Sequence, residues 1–162
     1  MLTESSIFWF STAAGLAAIA FGILLALNVL KKSAGDEKMQ GIAAAIQEGA
    51  TAYMSRQYRT VAIVAVILAI IIYYLLGFNT ALGFVIGAIA SALAGFVGMF
   101  VAVRANVRTA EAAKSGLAPA FAIAFRGGAV TGFFVVGLGL LAVTLFYHFT
   151  GDIKSLVGLG FG

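Results

Sequence analysis

Cysteine is absent from this sequence, so neither a disulfide nor a thiolate metal site can be built from it, and the redox compartment stays open. A single histidine, His148, leaves no partner for an imidazole metal site. It reads as an interfacial residue. Charge is the other scarcity: 10% of the 162 residues are charged while 62% are hydrophobic. The mean hydropathy is +1.09. No soluble domain of this size could cover its surface with so few charges, so the chain is integral to a membrane. Proline occurs once, which leaves long helices uninterrupted. Turn signals at roughly ten-residue intervals, the mark of a membrane barrel, are also missing.

What is present is glycine, 20 residues of it, and long apolar runs. The fold class expected is all-α and integral to the membrane: a polytopic helix bundle with four full spans and the start of a fifth. The spans fall at about 7–30, 60–76, 81–103 and 127–149, with the partial fifth from about 153, in one membrane region covering 1–162 without a separate soluble domain. Glu4 is the only charge before the first span, and Lys31 and Lys32 follow it. That places the N-terminus outside. Nine of the ten Lys/Arg then lie on the inner side and only Lys154 on the outer. Trp9, Tyr73, Tyr74 and Tyr147 fall near the outer interface, where amphipathic rings settle.

Small residues mark packing faces. Ala14, Ala18, Gly22 and Ala26 recur every fourth position, and so do Gly83, Gly87, Ser91 and Gly95, the strongest such stripe. Gly128 and Gly132 form another close-contact pair. Asp36 and Glu37 suit the first turn of a helix. From there a rod of about 60 Å runs to Leu76 at 1.5 Å per residue. Its segment 36–59 is too polar for lipid and is expected to stand outside the membrane as a cytoplasmic helix extension.

The chemistry-bearing residues are few. The acids Glu4, Asp36, Glu37, Glu48, Glu111 and Asp152 avoid the middle of every span. An ion relay needs a carboxylate within the membrane, so these spans are not the expected ion path, and a rotor-ring subunit is disfavoured. Gly158-Leu159-Gly160-Phe161-Gly162 lacks the preceding strand and the Lys/Ser partner of a phosphate loop. Arg59, Arg104 and Arg126 sit at inner borders of apolar runs and are expected at one depth. They snorkel to headgroups or, with Arg56 and Arg108, brace a cytoplasmic platform by pairing with acids on other helices; Glu48, with no basic residue three or four positions away, joins that platform through a partner from elsewhere or faces solvent. Glu111, three residues after Arg108, reads as its helix-surface partner. No residue is assigned as catalytic, cofactor-binding or metal-ligating. The basic excess orients a membrane protein and implies no nucleic-acid partner.

Three stretches go further. IAAAIQEGATAYMSRQYRTVAIV (42–64), VAVRANVRTAEAAKSGL (101–117) and AFRGGAVTGFFVVGLGLL (124–141) resemble, in order and spacing, the early membrane segments of the membrane-bound, ion-pumping inorganic pyrophosphatases. The resemblance implies pyrophosphate hydrolysis coupled to transport of protons or sodium ions, with magnesium and, in one subgroup, potassium. It implies a homodimer of about sixteen-span chains in which the earliest four helices form part of an outer ring. The localisation expected is a prokaryotic cell (inner) membrane, with lipid and the remaining helices of the chain as partners. The family's substrate motif, of the type DVGADLVGKVE on the fifth helix, has no counterpart here. The expectation is therefore an N-terminal fragment, inactive alone. The alternative is a complete small non-enzymatic membrane protein, an assembly factor or transporter subunit.

Overall fold

The computed structural model describes residues 3–162, so the first two residues of the expected membrane region lie outside it. Five helices follow one another: α1 (Glu4–Leu30), α2 (Glu37–Leu76), α3 (Phe78–Ala113), α4 (Leu117–Thr150) and the short α5 (Leu156–Phe161). The first four are long and apolar enough to cross a membrane. No strand occurs among the described residues. The fold is thus an all-α polytopic bundle with four spanning helices.

Each connection turns on a glycine with positive φ: Gly35, Gly77, Gly116 and Gly151. A side chain would be strained in that region of backbone space. The outer turn expected over residues 77–80 contracts to Gly77 alone, because Phe78 already begins α3. Pro119 sits in the first turn of α4, where its missing N–H is no loss. Thr3 and Asp36 cap α1 and α2, accepting from the amides of Ser6 and Met39.

The helices do not pack in chain order. α3 and α4 share the largest interface, α1 docks on α4, α2 on α3, and α5 on α3. The layer therefore reads α1–α4–α3–α2, with α1 and α2 at opposite edges. The α1–α4 contact is built from close backbone approach. A β-carbon added at Gly15 would come within 2.9 Å of the Leu141 side chain, and one added at Gly137 within 2.7 Å of Ile19. On α1 the buried positions are Gly15, Gly22 and Val29, a seven-residue repeat. That spacing suits helices lying nearly along one another.

This corrects two packing expectations. A four-residue stripe rotates by about 40° per step around a helix of 3.6 residues per turn, so it drifts off a seven-residue seam. Of the α1 stripe Gly22 is buried and Ala18 meets Gly137, while Gly15 rather than Ala14 completes the buried seam. On α4 the pair Gly128 and Gly132 has no neighbour within 4 Å of an added β-carbon. Gly127 and Gly137 carry the contacts instead, Gly127 against Ala105 of α3.

Large apolar side chains cover the outside: Phe10, Leu75 and Phe149 are each more than three-quarters exposed. In water this surface would be a liability, whereas in hydrocarbon it is the required coat.

Candidate functional site: the charged inner end and the polar half of α2

The end of the bundle expected to face inward gathers most of the charge. Arg108 of α3 donates to three carbonyls. Its Nε reaches Lys32 O at 3.1 Å, Nη2 reaches Leu30 O at 3.0 Å and Nη1 reaches Arg104 O at 2.7 Å. It thereby caps the C-terminus of α1, whose last carbonyls have no partner within the helix. The expected Arg108–Glu111 pair does not form. Glu111 pairs with Lys114 at 2.6 Å, and the same ammonium lies 3.4 Å from Asp36. The α1–α2 connection is thus pinned to the end of α3 by a guanidinium and an ammonium. The helix-surface spacing that suggested the Arg108–Glu111 pair could not foresee that α1 ends beside Arg108.

Hydrogen bonds set the electrostatics of this cluster. The Met39 amide, and to a lesser extent Lys114, hold the Asp36 carboxyl below its ordinary range. Glu111, then Asp36, raise the Lys114 ammonium. At the other end Ser155 and the Lys154 amide lower Asp152. The Ser155 hydroxyl donates to Asp152 at 2.6 Å.

Arg126 of α4 donates to Asn28 of α1 at 3.1 Å. Arg104 stacks over Phe100 with its guanidinium carbon 3.6 Å from the ring centroid and donates to Phe100 O. A β-carbon added at Gly127 would meet Ala105, so Arg104 and Arg126 share one level. Arg59 does not join them. The Tyr58 hydroxyl donates to Ala92 O at 2.8 Å and lies 3.0 Å from a β-carbon added at Gly95. Arg59 is thus level with about residue 92 of α3, roughly 18 Å from Arg104 along the axis at 1.5 Å per residue. The expectation of one depth for the three arginines fails because α2 and α3 end flush, at Asp36 and Lys114, and a long α2 therefore runs back alongside an equally long α3. Glu48, Arg56 and Arg59 are exposed and make no ion pair among the described residues.

The stripe on α3 divides. Gly83 and Gly87 receive α5: added β-carbons would meet the Ser155 and Leu159 backbones. Ser91 and Gly95 are exposed and line a smaller hollow beside Met54 and Gln57 of α2. Sequence reasoning missed Asn28, Tyr58 and Gly98. Gly98 lies against Thr131, where an added β-carbon would come within 2.6 Å of the hydroxyl. Asn28 and Tyr58 were readable as single polar groups beside apolar runs. His148 stacks on Phe8 at 4.1 Å between centroids.

Among the described residues, no three of His, Cys, Asp or Glu come together to hold a metal ion. The two acids nearest each other through a shared partner, Asp36 and Glu111, are occupied by Lys114. The donor set of this chain therefore does not fit a magnesium–pyrophosphate site, which requires several convergent carboxylates.

Fold and charge distribution define a class: a multi-pass helical membrane segment with one basic, hydrogen-bonded end. Residues 16–162 match the family described as "Inorganic H+ pyrophosphatase", and the chain belongs to that family. It is 53% identical over 151 residues to a "K(+)-insensitive pyrophosphate-energized proton pump" of Methanosarcina mazei, covering 92% of this chain and 22% of the relative. A second pump of the same description, from Moorella thermoacetica, is 46% identical, covering 93% of this chain and 23% of that protein. A "Putative K(+)-stimulated pyrophosphate-energized sodium pump" of Clostridium tetani is 42% identical, covering 94% and 23%. The chain spans less than a quarter of the length of these relatives.

Proposed function

We propose that this chain supplies four outer membrane-spanning helices to a pump that couples pyrophosphate hydrolysis to the transport of protons or sodium ions. The carrying observation is the 53% identity, over nearly the whole chain, to a pyrophosphate-energized proton pump. In this reading the N-terminus lies outside, in keeping with the basic inner end. Hydrolysis takes place on carboxylates contributed by the remainder of the polypeptide, with magnesium as the cation that neutralises pyrophosphate there. The role of these helices is scaffolding: Arg108 and Arg126 tie the inner ends of α3 and α4 to that of α1, beneath a cytoplasmic catalytic platform. The pump is a homodimer in a prokaryotic cell membrane, and potassium stimulation depends on residues elsewhere.

The test uses the full polypeptide containing this chain, reconstituted in liposomes with magnesium. Pyrophosphate is expected to drive cation uptake, collapsed by a protonophore if the ion is H⁺ and requiring Na⁺ if it is sodium. Phosphate release without uptake, or neither, would overturn the proposal.

A further inference from the structure

The polar half of α2 lies beside the least polar part of its neighbours. Tyr58 donates to Ala92 O, while Asp36, just before α2, pairs with Lys114, just after α3. These two contacts fix an antiparallel register in which residues 48–59 of α2 run alongside residues 92–103 of α3. Side chains on a helix lean toward its N-terminus, so the Tyr58 backbone lies no nearer the inner end than its hydroxyl. Residues 92–103 of α3 contain no charged or strongly polar side chain. At the same level are α4 near 127–138, from the Gly127–Ala105 and Gly98–Thr131 approaches, and the inner half of α1, from the Arg126–Asn28 bond. These too are apolar apart from Thr131 and the terminal Asn28. Into this belt α2 carries Glu48, Ser55, Arg56 and Arg59.

We propose that residues 48–59 of α2 sit within the membrane rather than outside it, and that Arg56 and Arg59 form an interaction surface for transmembrane helices bearing carboxylates, contributed by the remainder of the pump polypeptide. The proposal rests on the reading of the chain as part of such a pump. Only Ala43 of the forty residues of α2 is buried, so the helix is open on every side but the one facing α3. Ala43, Gln47, Ala50, Met54 and Tyr58 make that contact face, and Ser55 and Arg59 lie to one side of it. An unpaired guanidinium at this depth is costly in hydrocarbon, which argues against lipid as the occupant. The inner headgroup level is marked by Arg104 and Arg126, roughly 13–18 Å from Arg56 and Arg59 at 1.5 Å per residue. A second copy about a two-fold axis along the membrane normal would oppose arginine to arginine. Its Glu48 would lie about 12 Å away from Arg56 along that axis. Charge complementarity therefore selects acids from helices outside this chain.

Because the chain has no cysteine, single-site labelling is clean on this segment. Nitroxides are placed by Gly41→Cys, Ser55→Cys or Ile63→Cys in the full polypeptide, in liposomes, with any other cysteines removed. Ser55 is expected to be shielded from a water-soluble nickel chelate, as at Ile63, and also to collide with oxygen less than lipid-facing Ile63 does. Nickel access equal to that at Gly41 would put the stretch in water and overturn the proposal. Oxygen access equal to that at Ile63 would mean lipid, and would overturn it too. In parallel, Arg59→Gln is expected to lower the melting temperature of the full protein and Arg59→Lys to restore part of the loss. An unchanged melting temperature in Arg59→Gln contradicts the pairing. Pyrophosphate-driven uptake by the unlabelled protein tests the pump reading separately.

Discussion

Arg108 shows how one side chain can hold two helices together. Its guanidinium presents a planar fork, and the structure uses that fork on Leu30 O, Lys32 O and Arg104 O at once. Arg104, four residues earlier, bonds only within its own helix. Removing Arg108 leaves the end of α1 without its cap, and charged hydrogen bonds of this kind contribute about 1.5–3 kcal/mol. Arg108→Ala is therefore expected to lower the thermal midpoint in detergent clearly more than Arg104→Ala. Arg108→Lys should recover little, since one ammonium cannot replace the fork. Equal losses in the two alanine variants would remove the clamp from the account. The clamp was not legible in the sequence, where helix spacing pointed Arg108 at Glu111. Which carbonyls an arginine meets depends on where another helix ends, and that is a tertiary fact.

At the scale of the element, α2 is capped at its start by Asp36, whose carboxylate accepts from the Met39 amide at 2.9 Å. That bond is the leading reason its pKa lies below the ordinary 3.8. A depressed carboxylate contributes order that is present above its unfolded value and is lost as pH falls through the folded one. The first turn of α2 should thus hold at pH 4 and loosen only below 3.8. The Met39 amide chemical shift, followed by NMR through that range, reads this directly. Asp36→Asn keeps an acceptor at the cap and should flatten the titration. An unchanged titration in that variant would point to another group. The existence of this helix and its start were readable from Asp36-Glu37 ahead of a helical pattern, and its end from Gly77. Its partner was not readable. Composition marks 36–59 as too polar for bare lipid, but whether water or protein covers such a segment is not a property of its composition.

Over the whole molecule, the four spans and the family were legible because apolar runs of membrane length and three long motifs are properties of the sequence itself. Helix order was not. Short connections suggest that successive helices are neighbours, yet α1 lies on α4 and α2 on α3, with the glycine seam of α1 matched to Gly137 rather than to anything on α2. The stripes of small residues correctly announced close approach, but the four-residue spacing missed Gly15 on α1 and chose the wrong pair on α4. Nearly parallel helices repeat their contacts every seven residues. On α3 the stripe serves α5 at Gly83 and Gly87, lies open at Ser91 and meets the Tyr58 hydroxyl of α2 at Gly95.

Everything said about the depth of the polar half of α2 depends on its register against α3. Met54 and Met99 line one hollow between these helices. Paired Met54→Cys and Met99→Cys substitutions in the full polypeptide, with any other cysteines removed, should be joined in membranes by a short bifunctional thiol reagent. Met54→Cys with Thr109→Cys should not. That second pair is what would be adjacent if Arg59 shared the level of Arg104 and residues 36–59 projected outside. Cross-linking of 54 to 109 in place of 54 to 99 would contradict the register and return the polar stretch to the cytoplasmic side.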